Sequence, residues 1–253
     1  MLTFCNSLLA LAMSSSPLVD PTADPCSWET AQAPAAASPV AKPRSAPPAA
    51  GTVPAPAAAP TAADVVVHLQ STYDGIQDYV AAFRQELTNA AAGETTSSQG
   101  TIYFKRPGKM RWDYATPTQK TLVTDGATLW IWEPAFQQYA SVDVRRSSAP
   151  LALRFLMGQG RLNQDFDAAI TRQQGARLTL ELTPHASQGG VEQLQFVVDT
   201  ATWTVAEAIL LDPVGNVNHL YFSNARWNQR LPDSGFTFSP PAGAHRVDAP
   251  PGF

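Results

Sequence analysis

Residues 104–114 read Phe104-Lys105-Arg106-Pro107-Gly108-Lys109-Met110-Arg111-Trp112-Asp113-Tyr114, two strand-like runs around a Pro-Gly turn. Alternate residues of a strand face opposite sides. Met110, Trp112 and Tyr114 therefore share one face, and Lys109, Arg111 and Asp113 share the other. One side of this ribbon is wet. The other presents aromatic and thioether surface that must meet either a packed core or an oily ligand.

Similar runs follow at short spacing: Gly100 to Lys105, Lys109 to Ala115, Lys120 to Thr124, Ala127 to Trp132, Arg177 to Thr183, Glu192 to Asp199, Thr202 to Leu211, Asn216 to Ser223 and Gly235 to Phe238. Asp125-Gly126 suits a two-residue type I′ hairpin, and Asp212 to Gly215 closes another. Connections this short exclude parallel crossovers, which need a dozen or more residues. The sheet is expected to be antiparallel, with about nine or ten strands that curl toward a barrel or split into a sandwich.

Two helices are expected. From Asp64, taken as the N-cap, Val66, Leu69, Tyr73, Ile76, Val80 and Phe83 fit one helical stripe. Beyond Gly75 the residues Tyr79, Ala81, Phe83 and Gln85 also fit a period of two. Helix to about Asp74, then strand, is the preferred division. The second helix runs from Pro150 to Gly158 and has almost no polar face, so it must be covered on nearly every side or lie across an opening. Leu162 and Phe166 continue its apolar content through a second short turn.

Composition divides the chain near residue 61. Residues 1–12 read as a signal-peptide remnant ending in Ala10-Leu11-Ala12, although no Lys or Arg precedes the apolar run. Residues 13–60 read as an Ala/Pro-rich linker, since prolines recur too often for a helix to propagate. Residues 61–253 are enough for a single domain with its own core. Such a leader leads to the expectation of export. The two cysteines, Cys5 and Cys26, allow no disulfide framework within the folded part. Neither is preceded by the Leu-small-small pattern of a lipoprotein signal.

A formal net charge of −4 gives no basic footprint for nucleic acid. Lys105, Arg106, Lys109 and Arg111 form a local basic cluster with two readings: a solvated strand edge, or a contact to an anionic membrane surface or acidic partner. The four histidines, His68, His185, His219 and His245, have neither helical nor zinc-finger ligand spacing, so no metal is expected. No nucleophile elbow, phosphate loop or dinucleotide fingerprint is present. Neither catalysis nor a cofactor is expected. What stands out is the apolar supply, which a sheet too wide to fill itself would use to enclose a ligand cavity.

Tyr103 to Tyr114, Thr124 to Pro134, Pro150 to Gly158 and Phe236 to Gly243, in that order, resemble the periplasmic outer-membrane lipoprotein carrier family, LolA, over about Val65 to Val247. The resemblance implies an unclosed antiparallel β-barrel with short helices forming a lid over a hydrophobic cavity. It implies a monomeric chaperone that binds acyl chains of lipoproteins released by an inner-membrane ABC transporter and delivers them to an outer-membrane receptor lipoprotein.

The arginine of the family's Lys-Arg-Pro motif falls on Arg106, which the resemblance makes a latch from barrel rim to lid; a snorkelling surface arginine is the plain alternative. With strand alternation it assigns the cavity lining to Met110, Trp112, Leu129, Ile131, Leu178, Leu180, Phe196, Val198, Leu220 and Phe222, and the lid to Leu151, Leu153, Phe155 and Leu156. A one-residue slip in register would reverse the strand assignments. A lipid-anchored receptor of the same fold and a regulatory sensor of the cell envelope are the alternatives.

Overall fold

The computed structural model describes residues 59–144, 155, 160–185 and 191–249. Within them, helix α1 (Ala62–Asp74) begins at a capping box. The Thr61 hydroxyl accepts from the Asp64 amide at 3.2 Å, and the Asp64 carboxylate accepts from the Thr61 amide at 2.9 Å. The N-cap is thus Thr61 rather than Asp64, whose charge instead favours the positive end of the helix dipole. Val65, Val66, Leu69 and Tyr73 form its buried stripe. The helix ends at Gly75, whose amide reaches Ser71 O and Thr72 O.

The strands are β1 (Asp78–Asn89), β2 (Glu94–Lys105), β3 (Lys109–Thr116), β4 (Lys120–Thr124), β5 (Thr128–Glu133) and β6 (Gln138–Asp143). After the one-turn helix α2 (Leu162–Asp165) come β7 (Phe166–Gln174), β8 (Arg177–Pro184), β9 (Gln193–Asp199), β10 (Thr204–Leu211), β11 (Val217–Trp227) and β12 (His245–Arg246). They form one sheet of twelve strands in the order β12-β6-β5-β4-β3-β2-β1-β11-β10-β9-β8-β7. The edge strands β7 and β12 do not pair with each other, so the sheet is unclosed. Every neighbouring pair is antiparallel except β12 with β6. The expectation of an antiparallel sheet fails only at this two-residue edge.

Several local expectations are corrected. The β4–β5 loop is not a two-residue type I′ turn. Only Gly126 takes a positive φ, of 97°, while the Asp125 carboxylate accepts from the amides of Ala127 and Thr128, both at 2.8 Å. Residues 235–238 are not a strand: a 3₁₀ turn occupies Asp233–Phe236. Strand β2 starts six residues before the expected Gly100, in a polar stretch, and β6, β7 and β12 were not anticipated. Phe166 opens β7 instead of continuing a helical turn.

Gly100 illustrates why a strand interior tolerates glycine here. A Cβ at this position would lie 2.0 Å from Asp113 O and 3.0 Å from the Phe83 ring. The missing side chain lets β2 and β3 approach where their register shifts, between Gln99 and Gly100.

One face of the sheet and the stripe of α1 share a single apolar cluster. It extends from Ile131 and Ala140 on one wing to Leu180 and Leu182 on the other. The sheet therefore curls around its own apolar face, with α1 laid across it.

Candidate functional site

The rim of this curled sheet is the β2–β3 turn, and Arg106 stands on it. Its Nη2 donates to the carbonyl oxygen of Tyr73 at 2.6 Å, in the last turn of α1. That carbonyl belongs to a helix end, where oxygens lack intrahelical donors; it accepts from the Ile76 amide at 3.1 Å and takes a second bond from the guanidinium. The Arg106 amide also donates to Gln77 O at 2.9 Å, and the Asp74 carboxylate lies 3.8 Å from the same Nη2. The side chain is about three-quarters buried.

Tyr73 joins the other wall as well. Its hydroxyl accepts from the Val205 amide of β10 at 3.2 Å. Its ring lies 4.9 Å from Phe155, which in turn lies 5.8 Å from Phe196 of β9. Burial pushes the Tyr73 hydroxyl up to about 12, so it stays protonated through the physiological range. Elsewhere α1 is held by His68 stacked on Trp203 at 4.3 Å and by Gln70, whose side chain accepts from the Leu162 amide at 3.2 Å. Helix α1 thus spans from the β2–β3 rim to β10 and α2.

Beneath it lie the residues assigned from alternation. Met110, Trp112, Leu129, Ile131, Leu178, Leu180, Phe196, Val198 and Leu220 are 0–3% exposed and belong to the one cluster, against which Phe222 is packed while partly buried. Leu178 pairs with Val198 and Leu180 with Phe196 across β8 and β9. Of the lid residues, Phe155 is 1% exposed and in the cluster; Leu151, Leu153 and Leu156 lie outside the described residues.

Among the described residues the interior is oily and lined by aromatic rings. Phe83, Trp112 and Tyr114 pack ring to ring at 4.8–6.1 Å. Under the Arg106 rim, among Tyr73, Ile76, Tyr79, Phe104 and Phe222, lies a pocket of about 10 Å³, room for about one water. Alternation identifies which face is apolar. It does not measure the gap between facing surfaces.

The basic cluster at the rim is engaged within the chain. Lys105 and Lys109 both reach Asp233, at 2.6 and 2.9 Å, and together they hold its carboxyl down at about 2. Arg111 pairs with Asp113 at 2.7 Å and donates to Gly235 O at 3.3 Å. Sequence reasoning missed this C-terminal strap and its anchor, the buried Asp78, which accepts from the amides of Gln229 at 2.7 Å and Leu231 at 3.2 Å. An acidic residue inside an apolar stripe was the available signal. Among the described residues no group of His, Cys, Asp and Glu could hold a metal, and no helix is long and apolar enough to cross a membrane.

Residues 74–239 match the family model for the outer membrane lipoprotein carrier protein LolA. The chain belongs to the LolA family. It is 32% identical over 172 residues to the outer-membrane lipoprotein carrier protein of Dechloromonas aromatica, covering 66% of this chain and 79% of that one. Against the protein of the same description in Methylibium petroleiphilum it is 28% identical over 182 residues, covering 72% and 88%. A crystal structure of a LolA superfamily protein from Nitrosomonas europaea covers 71% of this chain and 99% of that one, with a TM-score of 0.41 and 13% identity.

Proposed function

We propose that this LolA-family chain is a periplasmic carrier that binds the acyl chains of lipoproteins released from the inner membrane and delivers them to a receptor lipoprotein at the outer membrane, with no catalytic step. The observation that carries this reading is the bond from Arg106 to Tyr73 O. It ties the amphipathic helix to the rim of a sheet whose inner face is apolar. Fatty tails are the chemistry that could replace the stripe of Val65, Val66, Leu69 and Tyr73 against that face, so loading and opening are one movement of α1.

Energetics favour such a device. Each buried methylene is worth about 0.8 kcal/mol, so three long acyl chains left in water would cost on the order of tens of kcal/mol. A lipoprotein therefore crosses an aqueous gap only under cover. The carrier must also let go. A helix that regains its own buried contacts and its arginine bond when the tails leave lowers the carrier's net hold, and a receptor without such a competing closed state takes the cargo. The donor is a lipoprotein-releasing ABC transporter of the inner membrane. The carrier works as a monomer, with residues 13–60 as a linker ahead of the carrier domain.

The test is a release assay. Inner-membrane vesicles bearing the transporter and a labelled triacylated lipoprotein are given ATP and the purified protein. Lipoprotein recovered in the supernatant with the protein, then passed to receptor-bearing vesicles, supports the reading. Lipoprotein that stays in the pellet contradicts it.

A further inference from the structure

The buried face is not apolar along its whole length. Six residues along β1 from Tyr79, about 20 Å from the Arg106 rim at the rise of an extended strand, Gln85 is fully buried, and Asn218 of β11 is 1% exposed. Gln85 Nε2 donates to Asn218 Oδ1 at 3.1 Å, and the Tyr114 hydroxyl donates to Gln85 Oε1 at 3.1 Å. This chain leaves Asn218 Nδ2 buried without a partner. Thr96, which like Asn218 stands opposite Leu87, has a buried unpartnered hydroxyl, and the Trp112 indole nitrogen, nearer the rim, is a third such atom among the described residues. Lys120 pairs with Tyr114 across β3 and β4, is 7% exposed, and holds its ammonium 4.8 Å from the Tyr114 ring centre.

A buried donor with no acceptor is costly, and proteins rarely retain one without a use. Here an unused amide N–H stands one hydrogen-bonded side chain from Tyr114, whose ring carries a buried cation on its flank. That arrangement fits an anionic acceptor and is the wrong end-wall for a methyl terminus. We propose that the far end of the interior is a carboxylate subsite, and that the protein binds a free long-chain fatty acid head-first, with the carboxylate accepting from Asn218 and the chain running back along Phe83 and Phe104 to the rim. Lys120, which also faces the Glu133 carboxylate, adds positive charge from behind Tyr114. The proposal rests on the acyl-chain reading of the interior, and entry requires the same movement of α1.

Isothermal titration with palmitate and with hexadecyltrimethylammonium, amphiphiles with matched chains and opposite heads, tests it. The wild-type protein is expected to bind palmitate about tenfold more tightly, the worth of one hydrogen bond to a charged group. Combining Gln85→Leu, Tyr114→Phe and Asn218→Leu removes donors and acceptors together, so none is left bare. This variant is expected to lose the preference while still binding the cationic amphiphile. Lys120→Met alone is expected to reduce the preference, and it serves if the triple variant does not fold. A preference that survives both variants, or that vanishes only in Arg106→Leu, puts the carboxylate at the rim and overturns the proposal. Equal wild-type binding of the two amphiphiles also overturns it while leaving the acyl-chain reading intact; binding of neither removes both.

Discussion

Arg106 on the β2–β3 turn and Tyr73 in the last turn of α1 are joined by one short bond from guanidinium to carbonyl, 2.6 Å long. Thirty-three residues separate them, and they belong to the two parts, rim and helix, that the proposed carrier mechanism would separate. A hydrogen bond to a charged group contributes about 1.5 to 3 kcal/mol, enough to bias a two-state helix without locking it.

Replacing Arg106 with leucine therefore shifts α1 toward the open state by about tenfold or more. Amide hydrogen exchange over Leu69 to Asp74 is expected to speed up by that factor, with exchange in β8 and β9 unchanged. Cargo transfer to the receptor is expected to slow, because closure no longer competes with the ligand.

Phe155 sits between Tyr73 and Phe196 and is 1% exposed. Truncation to alanine is expected to lower the unfolding free energy by about 3 to 5 kcal/mol and to raise the binding of a hydrophobic dye. Denaturant titration reads the first effect and dye fluorescence the second.

Gly100 has no room for a methyl group because Asp113 O would lie 2.0 Å from it. Backbone cannot swing aside as a long side chain can, so Gly100→Ala is expected to cost about 3 kcal/mol or more. The thermal midpoint reports the loss. Gly175→Ala, at a turn with open space around it, costs only the strain of its positive φ and is the control.

Lys120 provides a pH test. Burial draws its ammonium down to about 8, partly countered by the Glu133 carboxylate. The unfolded lysine keeps its proton to about 10.4. Between those values the unfolded chain binds the extra proton, so this group makes the protein more stable as pH rises from about 8 to about 10.4, by at most about 1.4 kcal/mol per pH unit. Unfolding free energy measured across that range is expected to climb more steeply in wild type than in Lys120→Met.

The alternation of Met110, Trp112 and Tyr114 was legible because one face of β3 is buried and the other wet, and Leu178, Leu180, Phe196 and Val198, which the same rule puts on one face, are buried. The start of β2 was not legible. Glu94 to Gln99 carries no apolar alternation and is a strand because β1 offers it a ladder, with Thr88 and Thr95 facing each other at 2.8 Å between hydroxyls. Strand β7 lies at the sheet edge with only Phe166 buried, so its pattern is weak. At the far end of the interior, Gln85 fitted a strand period but nothing in its spacing indicated that Asn218, 133 residues away, would complete a buried polar pair. The ring packing of Phe83, Trp112 and Tyr114 was invisible for a similar reason, since packing between strands is a property of three dimensions.

Native mass spectrometry of the Arg106→Leu protein recovered from the periplasm of its own cells tests the central claim most directly. The account predicts a species carrying the added mass of a triacylated lipoprotein, at higher occupancy than in wild type. A ligand-free mass in both proteins, with lipoproteins still reaching the outer membrane after the chain is deleted, would contradict it.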